Sequence, residues 1–154
     1  MFSSETKIPR ARVPVLIGRH GNTKKELEKK LDLRIEISVE GDVNVYSENS
    51  LNNYIAIKIA IAIGRGFNPK IAMYLINDQY LLEVINIKEF SGNSKEKMRR
   101  MKSRVIGTKG KAWKMIEQLT NCYLAVHGRT AAVIGGVEEV QIARQAVEKL
   151  LGGS

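Results

Sequence analysis

The sequence predicts an α+β protein made of two similar halves, and three observations support this fold class. A Gly-x-x-Gly motif occurs twice, within residues 17–21 and 106–110 of a 154-residue chain. Each copy precedes a run with helical periodicity, which is followed by two strand-like runs. No long Pro- or Ser-rich linker separates the copies. We therefore expect two domains, residues 1–77 and 78–154, each with a three-stranded sheet packed against three helices.

The two glycine motifs are followed by helix-like runs of similar sequence. After the first motif, residues 22–31 form a basic run with Leu27 and Leu31 on one helical face. After the second motif, residues 111–119 carry Ile116 on the corresponding face. At a constant offset the two copies match in the pairs Ile17 and Ile106, Lys25 and Lys114, Leu27 and Ile116, and Glu28 and Glu117.

Two strand-like runs follow each of these helices. Residues 33–39 alternate apolar and polar side chains, as a half-buried strand does. A turn at Gly41 and Asp42 then leads to a second run over residues 43–46. The corresponding segments of the second half are residues 122–126, 128–129 and 131–134.

A helix is predicted to close each half. Residues 50–63 are ambiguous, because their isoleucines fall on alternate positions, as they would in a strand. Alanines between the isoleucines favour a helix. The equivalent residues 140–150 have a clear 3.6-residue period, which supports a helix in both places.

Between the two motifs the chain is predicted to pass through a short helix and a strand. Asn68 is a suitable cap for that helix, and Pro69 suits its first position. Residues 80–87 are predicted to form the strand that begins the second half. Residues 95–105 are predicted to form a basic helix that leads directly into the second glycine motif.

The charge distribution indicates a polyanionic partner. The chain has 25 Lys and Arg residues against 16 Asp and Glu residues, which gives a formal net charge of +9. Nine of the basic residues lie between Lys95 and Lys114, with Glu96 as the only acid among them. A charge run is often only a solvated helix face, but this one leads into a glycine loop of the kind that binds phosphates. A nucleic acid would explain both features.

Other classes of protein fit the composition poorly. No stretch of 18 residues is apolar and free of charge, so no membrane-spanning helix is expected. Cys122 is the only cysteine, which excludes an internal disulfide and predicts a small buried strand residue. His20 and His127 lack metal-ligand spacing and the acids form no cluster. We therefore expect no metal, no cofactor and no enzymatic activity.

These motifs resemble those of KH domains, in which a glycine loop between two helices clamps single-stranded nucleic acid. The second half, through residues 104–111, 119–123 and 133–135, is similar to the Krr and Pno (partner-of-Nob) proteins, whose archaeal members are called Dim-type proteins. The resemblance implies two tandem eukaryotic-type (type I) KH domains, each in the order strand, helix, glycine loop, helix, strand, strand, helix. The first loop is intact here, whereas eukaryotic members tend to have lost it.

The resemblance also implies a function. Members of this family are assembly factors of the small ribosomal subunit; they bind RNA near the 3′ end of its rRNA and do not cut it themselves. The expected partners are therefore single-stranded RNA, in particular the 3′ region of small-subunit rRNA, and either the rRNA-processing endonuclease or a translation or assembly factor. No membrane partner is expected. The compact length fits an archaeal member, for which a cytoplasmic location is expected.

The residues expected to bind RNA fall into two groups. Glycines, cations and polar residues of the motifs and flanking helices are expected to contact the sugar-phosphate chain, namely Gly18, Arg19, His20, Gly21, Lys24, Lys25, Arg99, Arg100, Arg104, Gly107, Thr108, Lys109, Gly110, Lys111 and Lys114. Apolar residues beside each loop are expected to form a groove for unstacked bases, namely Ile17, Leu33, Ile35, Ile106, Leu124 and Val126. Each domain would hold about four nucleotides. Trp113, next to the second motif, is expected to pack in the core rather than to stack on a base.

Two other functions are compatible with the sequence. The first is a tandem-KH adaptor or regulator in RNA degradation or translation, which would lack a preference for the rRNA 3′ end. The second is a protein-interaction scaffold that depends on the apolar surface around residues 55–63 and 71–76. A scaffold would keep its partner binding after charge reversal in the glycine loops.

Overall fold

Each half of the chain folds around its own three-stranded antiparallel sheet. The structure, a computed structural model, describes residues 1–152. Its contacts divide the chain into two units, Met1–Ile76 and Asn77–Ser154. This division falls one residue before the boundary predicted from the sequence. We call them the first and the second unit.

The first unit contains three strands and four helices. Its elements are β1 (Phe2–Lys7), α1 (Val13–Ile17), α2 (Asn22–Leu31), β2 (Arg34–Ile37), β3 (Asp42–Ser47), α3 (Ser50–Gly64) and α4 (Pro69–Ala72). The strand order is β1-β3-β2 with antiparallel pairing, so β2 lies at an edge of the sheet. Ile35 of β2 lies opposite Val45 of β3, and both side chains are buried.

The second unit repeats this order with one additional short helix. Its elements are β4 (Tyr80–Asn86), α5 (Lys88–Ser91), α6 (Lys95–Ile106), α7 (Lys111–Thr120), β5 (Tyr123–His127), β6 (Thr130–Gly136) and α8 (Glu139–Leu151). The strand order is β4-β6-β5, so β5 takes the edge position that β2 has in the first unit. Leu124 of β5 lies opposite Val133 of β6.

The core of the second unit fixes the helices on both sides of the second glycine loop. Its buried cluster includes Val105 near the end of α6, Ile116 of α7, Leu124 of β5 and Val147 of α8. Burying an aliphatic side chain of this size stabilises a fold by about 1.5–3 kcal/mol. Because α6 and α7 share this core, the loop between them is held at both of its ends.

The isoleucine-rich segment is a helix, so that prediction is confirmed. α3 begins after Asn49, whose side chain accepts hydrogen bonds from the backbone N–H groups of Leu51 and Asn52. Ile59 and Ile63 are fully buried, and the other isoleucines of α3 are partly buried. Tertiary burial thus overrides the strand preference of isoleucine. No helix within residues 1–152 is both long and apolar enough to cross a membrane.

The strand β2 is shorter than predicted, because a local turn replaces its last residues. The prediction covered residues 33–39, whereas β2 ends at Ile37. The side chain of Ser38 accepts a hydrogen bond from the backbone N–H of Asp42 at 3.0 Å. Gly41 has a φ of +103°, and a side chain there would run into the backbone of Ile8. These contacts turn the chain from β2 into β3.

Cys122 is buried, as predicted, but it lies in the connection between α7 and β5 rather than in a strand. Its thiol donates a weak hydrogen bond to the carbonyl oxygen of Thr120 at 3.5 Å. Burial raises the pKa of the Cys122 thiol. The group therefore stays a protonated packing residue at neutral pH.

Candidate nucleic-acid interface

The two glycine loops have the same backbone conformation. The first glycine of each has nearly identical angles, with φ 80° and ψ 172° at Gly18 and φ 76° and ψ 173° at Gly107. The last glycine of each is left-handed, with φ 75° at Gly21 and 74° at Gly110. In both loops the N–H of the last glycine donates to the carbonyl oxygen of the first, at 3.1 and 3.2 Å. The sequence repeat is therefore a repeat of geometry.

The first and last glycines of each loop are required for different reasons. A Cβ on Gly107 would lie 2.7 Å from both the Cβ and the backbone nitrogen of Ala112, so this position packs against α7. Gly18 is equally close to Thr23 of α2. A Cβ on Gly110 would meet no atom within 4 Å, and one on Gly21 only the Lys25 side chain at 3.8 Å. The last glycine thus faces open space, where a ligand backbone can approach closely.

Two residues inside the loops adopt a backbone conformation that is uncommon outside glycine. His20 and Lys109 both have a φ of 55°, in the left-handed region. Each occupies the third position of its motif, and both side chains are exposed. Such local strain tends to persist at functional sites, where the surrounding structure enforces it. The flanking residues Arg19 and Thr108 are exposed as well.

Unpaired cations surround both loops. Apart from Lys24, which is half-buried, the predicted phosphate-contacting side chains are exposed: Lys25, Arg99, Arg100, Arg104, Lys111 and Lys114. Within residues 1–152 none of these seven pairs with a carboxylate. On α6, Arg99, Arg100 and Arg104 line one shallow depression together with Ser103. These cations are available to an anionic ligand.

Arg12 is a basic residue near the first loop that has a structural task instead. Its guanidinium donates hydrogen bonds to the carbonyl oxygens of Ile63 and Phe67 at 2.8 and 2.9 Å. Burial lowers the pKa of the Arg12 side chain. The hydrogen bonds connect the segment before α1 to the end of α3. The sequence does not separate this arginine from the surface cations.

The groove of the first unit lies beside the glycine loop, and its lining differs in part from the prediction. The concavity is lined by Ile17, Gly21, Lys24, Lys25, Glu28 and Ile37. Ile35 was expected in the groove, but it is only 2% exposed and belongs to the core. Ile37, on the same face of β2 but nearer its end, takes the surface position. Leu33 is half-buried just before β2 and is not among the lining residues.

The corresponding surface of the second unit combines apolar and basic residues. Ile106 and Val126 are half-buried beside the loop. Leu124 is only 4% exposed and is a core residue, which corrects its placement in the groove for the same reason as Ile35. Trp113 stands at the sequence position equivalent to Lys24. It packs against the core cluster, so the prediction of a packing role is confirmed.

Two glutamates were not selected from the sequence, although their positions repeat. Oε2 of Glu28 accepts a hydrogen bond from the backbone N–H of Ile35 at 2.9 Å. Oε2 of Glu117 accepts one from the backbone N–H of Leu124, also at 2.9 Å. Each carboxylate therefore ties the helix after the loop to the edge strand of its sheet. The signal for them was their constant offset, which marks them as equivalent.

The fold and the glycine loops together define the class, an α+β protein of the KH type. A family model of the PNO1 kind, described as a eukaryotic-type KH-domain (KH-domain type I), matches residues 81–154. A KH domain-containing protein of Methanocaldococcus jannaschii is 47% identical over 152 residues; the match covers 96% of this chain and 66% of that protein.

Solved archaeal structures have the same fold over nearly the whole chain. Dim2p from Pyrococcus horikoshii is 38% identical with a TM-score of 0.91, covering 100% of this chain and 93% of that one. The same organism's a/eIF2alpha-aDim2p-rRNA complex contains a chain that matches at 38% identity and a TM-score of 0.90, covering 99% of this chain and 86% of that one. A protein of unknown function from Aeropyrum pernix matches at 30% and 0.95, covering 99% and 84%. The chain belongs to the Pno1/Dim2-type KH proteins.

Proposed function

We propose that this protein binds single-stranded RNA near the 3′ end of small-subunit rRNA and serves as an assembly factor of the small ribosomal subunit. In this proposal the two units act as tandem type I KH domains. The observation that carries it is the pair of superimposable glycine loops, each with an open last glycine and unpaired cations around it. A phosphate chain is the ligand that such a loop accommodates.

The proposed binding mode follows from the placement of these groups. The sugar-phosphate chain passes over Gly21 or Gly110, where no side chain obstructs it. The N-terminal turns of α2 and α7, which start directly after the loops, attract phosphates through their unpaired backbone N–H groups. Exposed lysines add charge-assisted contacts. Bases leave the stack and enter the groove beside each loop.

The second unit is proposed to be the stronger clamp. Its first long helix, α6, carries six basic residues and ends at the glycine loop. The equivalent helix of the first unit, α1, has five residues and none of them is charged. Because phosphate contacts supply most of the sequence-independent affinity for nucleic acids, this asymmetry favours the loop at residues 107–110.

The relatives support the choice of RNA and of partners. One neighbour was solved in complex with a/eIF2alpha and rRNA. We extend this to a proposal that the present protein meets the 3′ region of small-subunit rRNA together with a translation or assembly factor or the processing endonuclease. It would hold RNA without cleaving it, in the cytoplasm of an archaeal cell. Against a scaffold role stands the partial or full burial of every isoleucine in α3.

The test of this proposal is RNA binding measured by fluorescence anisotropy. The probes are an RNA that copies the 3′ end of small-subunit rRNA and a scrambled RNA of equal composition. The variants are Arg19→Asp/His20→Asp and Thr108→Asp/Lys109→Asp; aspartate tolerates the left-handed φ at His20 and Lys109. We expect selective binding by the wild type, weakened about tenfold by the second pair and less by the first.

Equal, weak and salt-sensitive binding to both RNAs, unchanged by either pair of substitutions, would contradict the proposal. The loops would then be structural turns on a generally basic surface. Selective binding of a different RNA, with the same dependence on the loops, would instead favour an adaptor in RNA degradation or translation. Thermal unfolding of each variant checks that the folds are intact.

We expect Gly110→Asn to weaken RNA binding about tenfold, or by about 1.4 kcal/mol. Asparagine tolerates the left-handed φ of 74°, so the loop keeps its shape. Its side chain would then occupy the open space through which the phosphate chain is proposed to pass. The measurement is a titration of the same RNA probe followed by anisotropy.

Gly128→Asn is the matched control for this prediction. Gly128 lies in the turn between β5 and β6, has a φ of 55° and faces open space, as Gly110 does. It should cost similar stability and leave RNA affinity unchanged. If both variants lose affinity equally, crowding of the loop is not the cause.

A further inference from the structure

The groove beside each glycine loop contains one carboxylate that is held in a fixed position. In the first unit, Glu28 lines the concavity together with Ile17, Gly21 and Ile37. Its Oε2 accepts the backbone N–H of Ile35 at 2.9 Å, so the side chain is anchored to the edge strand β2. A carboxylate offers about four acceptor sites on its two oxygens. Most of the acceptor capacity of Glu28 is therefore left for a ligand.

The second unit has the same arrangement. Glu117 accepts the backbone N–H of Leu124 at 2.9 Å, through the same oxygen, and lines a concavity next to Lys114. In the part of the chain that the structure describes, neither glutamate forms a salt bridge. Two units that share little other sequence thus keep the same acceptor in the same place. A tie between helix and strand alone would not need a groove-lining carboxylate with unused acceptors.

The charge of this group restricts what enters the groove. A carboxylate repels phosphate, so the group facing it must be a donor, while the neighbouring cations Lys25 and Lys114 attract the phosphates. Among nucleobases, cytosine and adenine present an exocyclic amino group, and carboxylates accept hydrogen bonds from the cytosine amino group in nucleic-acid complexes. Uracil presents carbonyl oxygens on either side of its single N–H, and these would face the carboxylate unfavourably.

We propose that Glu28 and Glu117 determine base specificity, each selecting a base with an exocyclic amino group, cytosine or adenine, against uracil. This inference rests on the proposed RNA-binding function of the grooves. The backbone hydrogen bond fixes one oxygen and so orients the other acceptors before RNA arrives. Specificity then comes from an unsatisfied acceptor when uracil occupies the groove.

The experiment compares short homopolymers of cytosine, adenine and uracil in anisotropy titrations. The variants are Glu28→Gln, Glu117→Gln and the double variant. Glutamine keeps an oxygen for the strand N–H, so the anchor and the fold are retained, but it adds an amide donor that pairs with uracil carbonyls. We expect the wild type to bind the cytosine and adenine polymers about tenfold more tightly than the uracil polymer. The double variant should reduce that ratio to about twofold.

Glu26→Gln combined with Glu89→Gln is the matched control. It removes the same charge from the two units, at exposed positions outside both grooves. It should strengthen binding to all polymers alike and leave the ratio unchanged. An unchanged ratio in the Glu28 and Glu117 variants, or no preference against uracil in the wild type, would overturn the inference. If that occurs while binding still depends on Lys109, the proposed function stands and only the base reading fails.

Discussion

Replacing Gly107 with alanine is expected to lower the free energy of unfolding of the second unit by about 3 kcal/mol. Two causes add. The backbone angles of Gly107, φ 76° and ψ 173°, lie in a region that is essentially restricted to glycine. A Cβ there would also lie 2.7 Å from the backbone nitrogen of Ala112, which the first turn of α7 holds in place. Urea unfolding followed by fluorescence measures the loss.

The chain provides both the probe and the control for this measurement. Trp113 is the only tryptophan and packs against the core of the second unit, so its emission reports on that unit. Gly110→Ala places a methyl group in open space at a left-handed φ, and should cost only about 1 kcal/mol. Equal losses for the two variants would mean that the loop moves away from α7 at little cost, and that Gly107 is not a packing position.

The second large effect is expected from reversing the charge of both loops at once. The variant with Arg19, His20, Thr108 and Lys109 all changed to aspartate should bind the rRNA 3′-end probe about a hundredfold more weakly than the wild type. The four positions are exposed, so the folds should persist. The slope of log affinity against log salt should also become shallower, by about 0.7 for each phosphate contact that is lost from a single strand.

A control of equal charge separates the loops from the overall electrostatic field. Lys70→Asp, Lys88→Asp and Lys149→Asp change three exposed residues outside the loops and likewise lower the formal net charge from +9 to +3. Long-range attraction falls equally in both variants. We expect the control to lose only a small part of its affinity. Comparable losses in the two variants would contradict a loop-centred binding site.

Much of the fold was predictable because two copies of a weak pattern support each other. Residues 50–63 illustrate this, since their alternating isoleucines alone would indicate a strand, while the equivalent helix α8 has an unambiguous period. Element ends were less predictable. β2 stops at Ile37 because Ser38 and Asp42 exchange hydrogen bonds, and such local competition leaves no mark in the hydrophobic pattern.

The candidate site was predictable in its loops but only partly in its groove. Glycine spacing identifies the loops, because few other residues adopt the required angles. Burial depth along a strand is harder to infer, so Ile35 was placed in the groove and Ile37 was not considered. Side chains that bind distant backbone groups are harder still. Arg12 reaches Ile63 across 51 positions, and only the folded chain brings the two together.

The bonds from Glu28 and Glu117 to the edge strands also affect association between protein molecules. β2 and β5 are outer strands, and an outer strand presents backbone donors that another chain could pair with. The glutamates occupy one such donor on each sheet with a charged group, next to the open binding surface. The edge that must be open to RNA is thereby made a poor template for strand addition, so the protein can expose it without inviting aggregation.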